Sequence, residues 1–339
     1  MVTNHCNGSR ATQHRPRIAF TITEMLVSVA VIMLIMAIVS EAFVAGMESF
    51  RQFKAIGDLD QRLRTASIVL RRDLQADHFN APPARLSSFA TPPPQGYFYI
   101  DSGTATQTGE GSDADSVPSF RGNGAVLAFT VNWSKGGGAE EDPHLMRLEN
   151  YLSANVPAGS PLAGLSPAQF QDGSNFLSQS AEVAYFLTSS GRTTPGGTPL
   201  FRLHRRQRLL LTPSDATSAN GAGVNPGDLA KYYDVAVRNE SGALHFHTLT
   251  DVATSGERTL APSPAALTGS EEGTDIILYD VISFTVRVFP DQAGITDFQN
   301  VTAFDSATAP YNIKAIEITL RVWDVKTSTT RQITVVQDM

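Results

Sequence analysis

Cysteine is almost absent: Cys6 is the single one in 339 residues. Such a chain forms no intramolecular disulfide and no zinc-thiolate cluster, and beyond residue 6 it has no thiol nucleophile. Its folded part must rest on a hydrophobic core alone, which a domain of ordinary size can manage. Basic residues are outnumbered, 26 Lys and Arg against 33 Asp and Glu, for a formal net charge of −7. An acidic chain repels the phosphate backbone, so no nucleic-acid partner is expected. The sequence also lacks G-x-S-x-G, G-x-x-x-x-G-K-S/T and H-E-x-x-H, the signatures of a serine nucleophile, a phosphate-cradling loop and a zinc protease. No enzyme and no cofactor are implied. Proline is missing from residues 20–79, which leaves that stretch free to be helical throughout.

What is present begins with Phe20 to Val39, FTITEMLVSVAVIMLIMAIV. As a helix it is long enough to span ~30 Å of hydrocarbon. Before it stand Arg10, His14, Arg15 and Arg17 with no acid, the bias that keeps an N-terminus cytoplasmic and places the remaining chain outside. Three readings compete: a secretory signal peptide, a plain signal anchor, and a processed anchor retained in the protein. Ala42-Phe43-Val44 is a poor small-x-small site for the first of these. Glu24 is the odd residue, since a carboxylate at the centre of a membrane helix costs about 3 kcal/mol and calls for a partner. A shallow position reaching the headgroups is the alternative.

After the span, Phe53, Ile56, Leu59, Leu63, Ala66, Leu70 and Leu74 recur at spacings of three and four, with Arg62, Arg64, Arg71, Arg72 and Asp73 on the other faces. That is an amphipathic helix. One helix over residues 20–79 would be about 90 Å long, with Gly46 and Gly57 as places to bend. From Asn80 to Gly124 the chain turns to Pro, Gly, Ser and Thr, which reads as a flexible surface excursion, with Tyr97-Phe98-Tyr99-Ile100 as a short strand inside it. Alternating strands are expected at 125–131, 183–187, 200–203, 208–211, 244–247, 276–289, 313–323 and 331–336. The fold class is α+β: a long N-terminal helix packed on an antiparallel sheet. No internal repeat is found.

The residues Ala19-Phe20-Thr21-Ile22-Thr23-Glu24-Met25-Leu26 followed by an apolar run resemble the class III leader of type IV pilins and type II secretion pseudopilins. The resemblance implies cleavage between Ala19 and Phe20 by a prepilin peptidase and N-methylation of Phe20. It implies also that Glu24, at the fifth mature position, pairs with the N-terminal amine of a neighbouring subunit during assembly, which would partner its buried charge. The chain departs from the family's pattern at Ala19, where Gly is usual, and at Glu41, where major pilins often have Pro. Loss of Arg10, Arg15 and Arg17 with no acid would move the net charge from −7 to −10. The helix segment Asp60 to Gln75, the V-x-Y-x-L strand Val183 to Leu187, the L-x-R strand Leu200 to Arg202, Val281 to Val286 and the strand over residues 310–320 resemble the type II secretion minor pseudopilin J and W-type pilus-assembly relatives.

The organisation so implied is a leader over 1–19, a transmembrane or filament-core helix over 20–46, an amphipathic helix over 47–79, and an extracytoplasmic β-rich domain over 80–339 with 80–124 flexible. The expected function is that of a minor pseudopilin in the pseudopilus tip complex that initiates assembly and supports protein secretion. Its partners would be minor and major pseudopilins, the prepilin peptidase, the inner-membrane assembly platform and the inner membrane. A minor pilin of a type IV pilus, serving assembly, adhesion or DNA uptake, is the alternative, and an anchored exported enzyme stands behind both. Arg202, His204, Arg205, Arg206 and Arg208 form a basic run that could meet an acidic partner surface or phosphate, or serve as a solvated, charged strand edge. His245 and His247 share a face but lack a third ligand, and Asp113-Ala114-Asp115 and Glu140-Glu141-Asp142 lack a complete calcium-loop pattern. No metal site is expected.

Overall fold

The computed structural model describes residues 21–80, 85–89, 91–102, 108–112, 118–122, 124–132, 144–147, 175–211, 213, 235–240, 243–260 and 274–339. The chain divides into two units, Met1–Lys54 and Ala55–Met339. Helix α1, Ile22–Gln75, supplies the described helix of the first unit and the opening helix of the second. It continues through Gly46 and Gly57, and a Cβ added at either would meet nothing within 4 Å. Neither glycine marks a break.

In the first unit the helix is apolar and exposed on every side. Two of its hydroxyls are satisfied locally: Ser28 Oγ donates to Glu24 O at 2.7 Å and Ser49 Oγ to Ala45 O at 3.0 Å, the usual way a serine survives inside an apolar helix.

In the second unit α1 buries Ala55, Leu59, Leu63, Ala66, Leu70 and Leu74, a stripe at spacings of three and four. The expected stripe is corrected at two ends. Phe53 is exposed, and Asp73, expected on a polar face, is buried and paired.

The strands are β1 Phe98–Asp101, β2 Thr108–Ser112, β3 Pro118–Arg121, β4 Val126–Asn132, β5 His144–Arg147, β6 Asn175–Ser178, β7 Ser180–Thr193, β8 Pro199–Leu209, β9 Val237–Glu240, β10 Ala243–Phe246, β11 Thr274–Pro290, β12 Gln299–Asn300, β13 Ala303–Asp305, β14 Ile313–Asp324 and β15 Thr329–Asp338. The large sheet runs β13-β1-β4-β7-β8-β11-β14-β15, with β12 paired to β11. Every pairing in it is antiparallel. The pairs β2-β3, β5-β6 and β9-β10 form small separate sheets.

Alternation divides the central strands between two hydrophobic clusters. Leu127, Phe129 and Val131 of β4, with Val183, Tyr185 and Leu187 of β7, join the cluster that contains the α1 stripe. Val126 and Ala128, with Ala184 and Phe186, join a second cluster with Val252 and Leu260. A short segment therefore covers the face opposite α1. It comprises α2, Leu249–Ala253, and a 3-10 turn at Ser255–Glu257, and it starts from a capping box in which Thr248 and Asp251 satisfy one another's backbone.

This cover is pinned by buried charge. Glu182 on β7 accepts from Tyr97 Oη at 3.0 Å, from Thr259 N at 3.2 Å and from the Thr259 hydroxyl. Burial raises the pKa of Glu182, against the lowering effect of Thr259 and Arg208. Arg258 forks onto Asp305 at 2.8 and 2.9 Å and lies 4.4 Å above the Tyr97 ring.

Two further sequence expectations are corrected. The stretches 200–203 and 208–211 belong to one strand, β8, ending at Leu209. The excursion over 80–124 is in part core: Leu86, Phe89, Tyr97, Phe98 and Ile100 are buried. Gly96 is required there, since at φ +81° an added Cβ would overlap the His78 carbonyl oxygen.

Candidate functional site

Ala19 and Phe20 lie outside the described residues. From Thr21 onward the start of α1 is built by a local exchange. The Thr21 N–H and hydroxyl both donate to Glu24 Oε2 at 3.3 Å, and the Glu24 N–H donates to Thr21 Oγ1 at 3.3 Å. This is a capping box, which places a carboxylate against the positive end of the helix dipole. Glu24 is exposed, and its Oε1 takes no donor among the described residues. The carboxylate therefore has a structural task already and capacity left for one more donor. The pattern Thr21-Ile22-Thr23-Glu24 was readable as a cap, a role that the sequence reading did not assign to it.

Beyond this cap, Met25, Leu26, Val27, Ile32, Met33, Leu34, Met36 and Phe43 are all more than half exposed. Covering a side chain of this kind is worth about 1.5–3 kcal/mol, and a contiguous apolar surface of this extent marks a membrane or assembly surface. Helix α1 is long and apolar enough to cross a membrane, with its apolar window unburied. A single N-terminal helix of this kind fits single-pass anchoring.

The basic run is distributed rather than gathered. Strand β8 lies inside the sheet between β7 and β11, so it is no charged edge. Arg205 points to the α1 side, where its Nε donates to Asp73 Oδ2 at 2.6 Å and its Nη2 to Oδ1 at 3.1 Å. The Tyr185 hydroxyl donates to the same Oδ2 at 2.6 Å. Burial works against the guanidinium charge, and the Asp73 carboxylate more than offsets it, so the Arg205 pKa is raised. Arg206 is buried, whereas Arg202 and Arg208 are half-buried, with Arg208 Nη1 donating to Thr259 O at 3.4 Å. His204 is buried between Thr188 Oγ1 at 2.7 Å and Thr274 Oγ1 at 2.9 Å, and its ring stacks on Phe186. Asp73 and Tyr185 were missed as a unit, because a lone acid in an amphipathic helix does not announce its partner 132 residues away.

His78 was missed altogether. It is buried, bonds through Nδ1 to Thr130 O at 2.8 Å, and meets the rings of Phe98 and Phe129 edge-on at 4.9 and 5.0 Å. Burial lowers its pKa to about 4, so it is neutral at pH 7, and its Nε2 has no partner among the described residues.

His245 is half-buried and His247 buried, their rings 5.2 Å apart at 63°. No group of three His, Cys, Asp or Glu that could hold a metal occurs among the described residues. Asp113-Ala114-Asp115 and Glu140-Glu141-Asp142 lie outside them. A pocket of about 130 Å³ between Leu59, Arg62, Tyr279, Trp323 and Lys326 includes Asp280 and Asp324. Those two carboxylates are occupied, by Arg192 at 2.9 Å and by the turn at Lys326 and Thr327. No protein-family model, curated protein or solved structure matches this chain.

Proposed function

We propose that this chain is a minor pilin-like subunit, most similar in role to pseudopilin J of type II secretion, and that it acts structurally rather than as a catalyst. The observation that carries the reading is the exposed apolar helix headed by Glu24, joined in sequence to an antiparallel sheet domain with a hydrophobic core of its own. In this reading the helix waits in the inner membrane, N-terminus cytoplasmic and sheet domain periplasmic. It leaves the bilayer when its apolar surface passes to sibling helices. Glu24 meets the methylated Phe20 amine of a neighbour, the pairing a carboxylate in apolar surroundings requires. Prepilin peptidase and the assembly platform are its processing and loading partners. A minor pilin of a type IV pilus would use the same helix in the same way.

Intact mass and N-terminal sequencing of the membrane-purified protein test the first step. A chain beginning at N-methylated Phe20 is the expected result. One beginning at Met1 makes it a plain anchor, and one beginning after Val44 makes the opening stretch a secretion signal. Glu24→Ala should then lower incorporation into the filament tip about tenfold while membrane insertion is unchanged, as befits loss of one charge-assisted contact. Unchanged incorporation would refute the role given to Glu24.

A further inference from the structure

We propose that the outer edge of β15 receives an extended strand from a different polypeptide, which adds to the sheet by backbone pairing. This rests on the sheet alone and stands whether or not the chain belongs to a filament. The sheet has two edges, and they differ. At one end β13 is three residues long and Asp305 is held there by Arg258. At the other, β15 runs ten residues and pairs with β14 at all ten, without the register shifts that interrupt β7-β8, β8-β11 and β11-β14.

The pairing fixes which groups are left over. Met339 N donates to Lys314 O at 2.9 Å, so the odd-numbered residues of β15 face β14, and the even-numbered ones turn their N–H and C=O groups outward. Thr330, Gln332, Thr334 and Val336 thus present a row of eight backbone groups with no backbone partner among the described residues. Only at Asp338 is an outward carbonyl satisfied, by the Gln337 side-chain amide at 2.9 Å. Of the devices that keep such edges from pairing, β15 lacks proline, a bulge and lysine, and carries two charges, Arg331 and Asp338, one towards each end.

The kind of strand follows from the charges. Arg331 and Asp338 are exposed at the two ends of the edge, and neither has an ionic partner among the described residues. They lie on opposite faces. Two copies paired about a two-fold axis bring together residues of the same face, so a second copy leaves both charges unmatched. An antiparallel strand with a base near its start and an acid seven positions later meets both.

The test uses the full chain in detergent micelles and a fluorescent eight-residue peptide with lysine first, glutamate last, and alternating threonine and valine between. Saturable binding is expected, at least about fivefold weaker for the peptide with the two charges exchanged. Thr334→Pro removes an outward N–H without touching the β14 ladder and should weaken binding at least about tenfold. Thr334→Lys, the milder variant, should act in the same direction with the thermal midpoint unchanged. Absence of saturable binding, or binding that neither variant alters, overturns the proposal. A concentration-dependent dimer abolished by Thr334→Pro also overturns it, by giving the edge to a second copy.

Discussion

The two stretches of α1 on either side of Lys54 share a secondary structure and are exposed in opposite ways. Leu34 is 62% exposed and Phe53 74%, while Leu63 is 4% and Leu70 0%. In the second stretch one apolar stripe is buried and mostly charged and polar residues fill the other faces, so a single sheet satisfies the helix. In the first, apolar residues surround the axis and are exposed among the described residues. Helical propensity is the same problem for both. What separates them is whether the described sheet covers the apolar side chains or leaves them exposed.

The sharpest way to break this comparison is at the charge inside the covered half. Asp73→Ala leaves the Arg205 guanidinium buried with its carboxylate gone, and should lower the unfolding free energy of the sheet unit by about 3–5 kcal/mol in denaturant titration of the full chain. Leu70→Ala, a cavity among α1 and sheet side chains, should cost about 3 kcal/mol in the same titration. Between pH 7 and pH 4 the fold should weaken by up to about 3 kcal/mol through His78. Its folded value of about 4 lies below the ordinary 6.5, so its contribution is present above pH 6.5 and is lost as the pH falls and the unfolded chain takes up the proton. Glu182 works in the other direction, since its raised value favours the fold on the acid side and that contribution is lost as pH rises through it. His78→Gln should flatten the acid slope, whatever else it does. Leu34→Ala, by contrast, should move the sheet unit's unfolding by less than about 0.5 kcal/mol. An effect there as large as that of Leu70→Ala would erase the distinction between the halves.

Much of the covered half was legible. Long strands such as Thr274–Pro290 and Ile313–Asp324 carry enough alternating β-branched and aromatic residues to be read directly. The failures share a physical cause. Strand β8 read as two pieces because His204, Arg205 and Arg206 interrupt its apolar pattern, yet His204 and Arg205 find their partners, Thr188 and Asp73, only when folding brings them near. Leu86 and Phe89 looked like loop residues among prolines, and only the assembled core explains their burial. At the start of α1 the glutamate was legible and its capping partner Thr21 was overlooked, although the spacing was in plain view.

The Asp73, Tyr185 and Arg205 contacts have a mechanical consequence. They tie the last turns of α1 crosswise to two adjacent strands, β7 and β8. All three hydrogen bonds end on the one Asp73 carboxylate, so a displacement of that carboxylate strains them together. Slip by a single turn, about 5.4 Å, would strand a guanidinium and a carboxylate in apolar surroundings. The three contacts therefore form one joint, kept or lost as a unit.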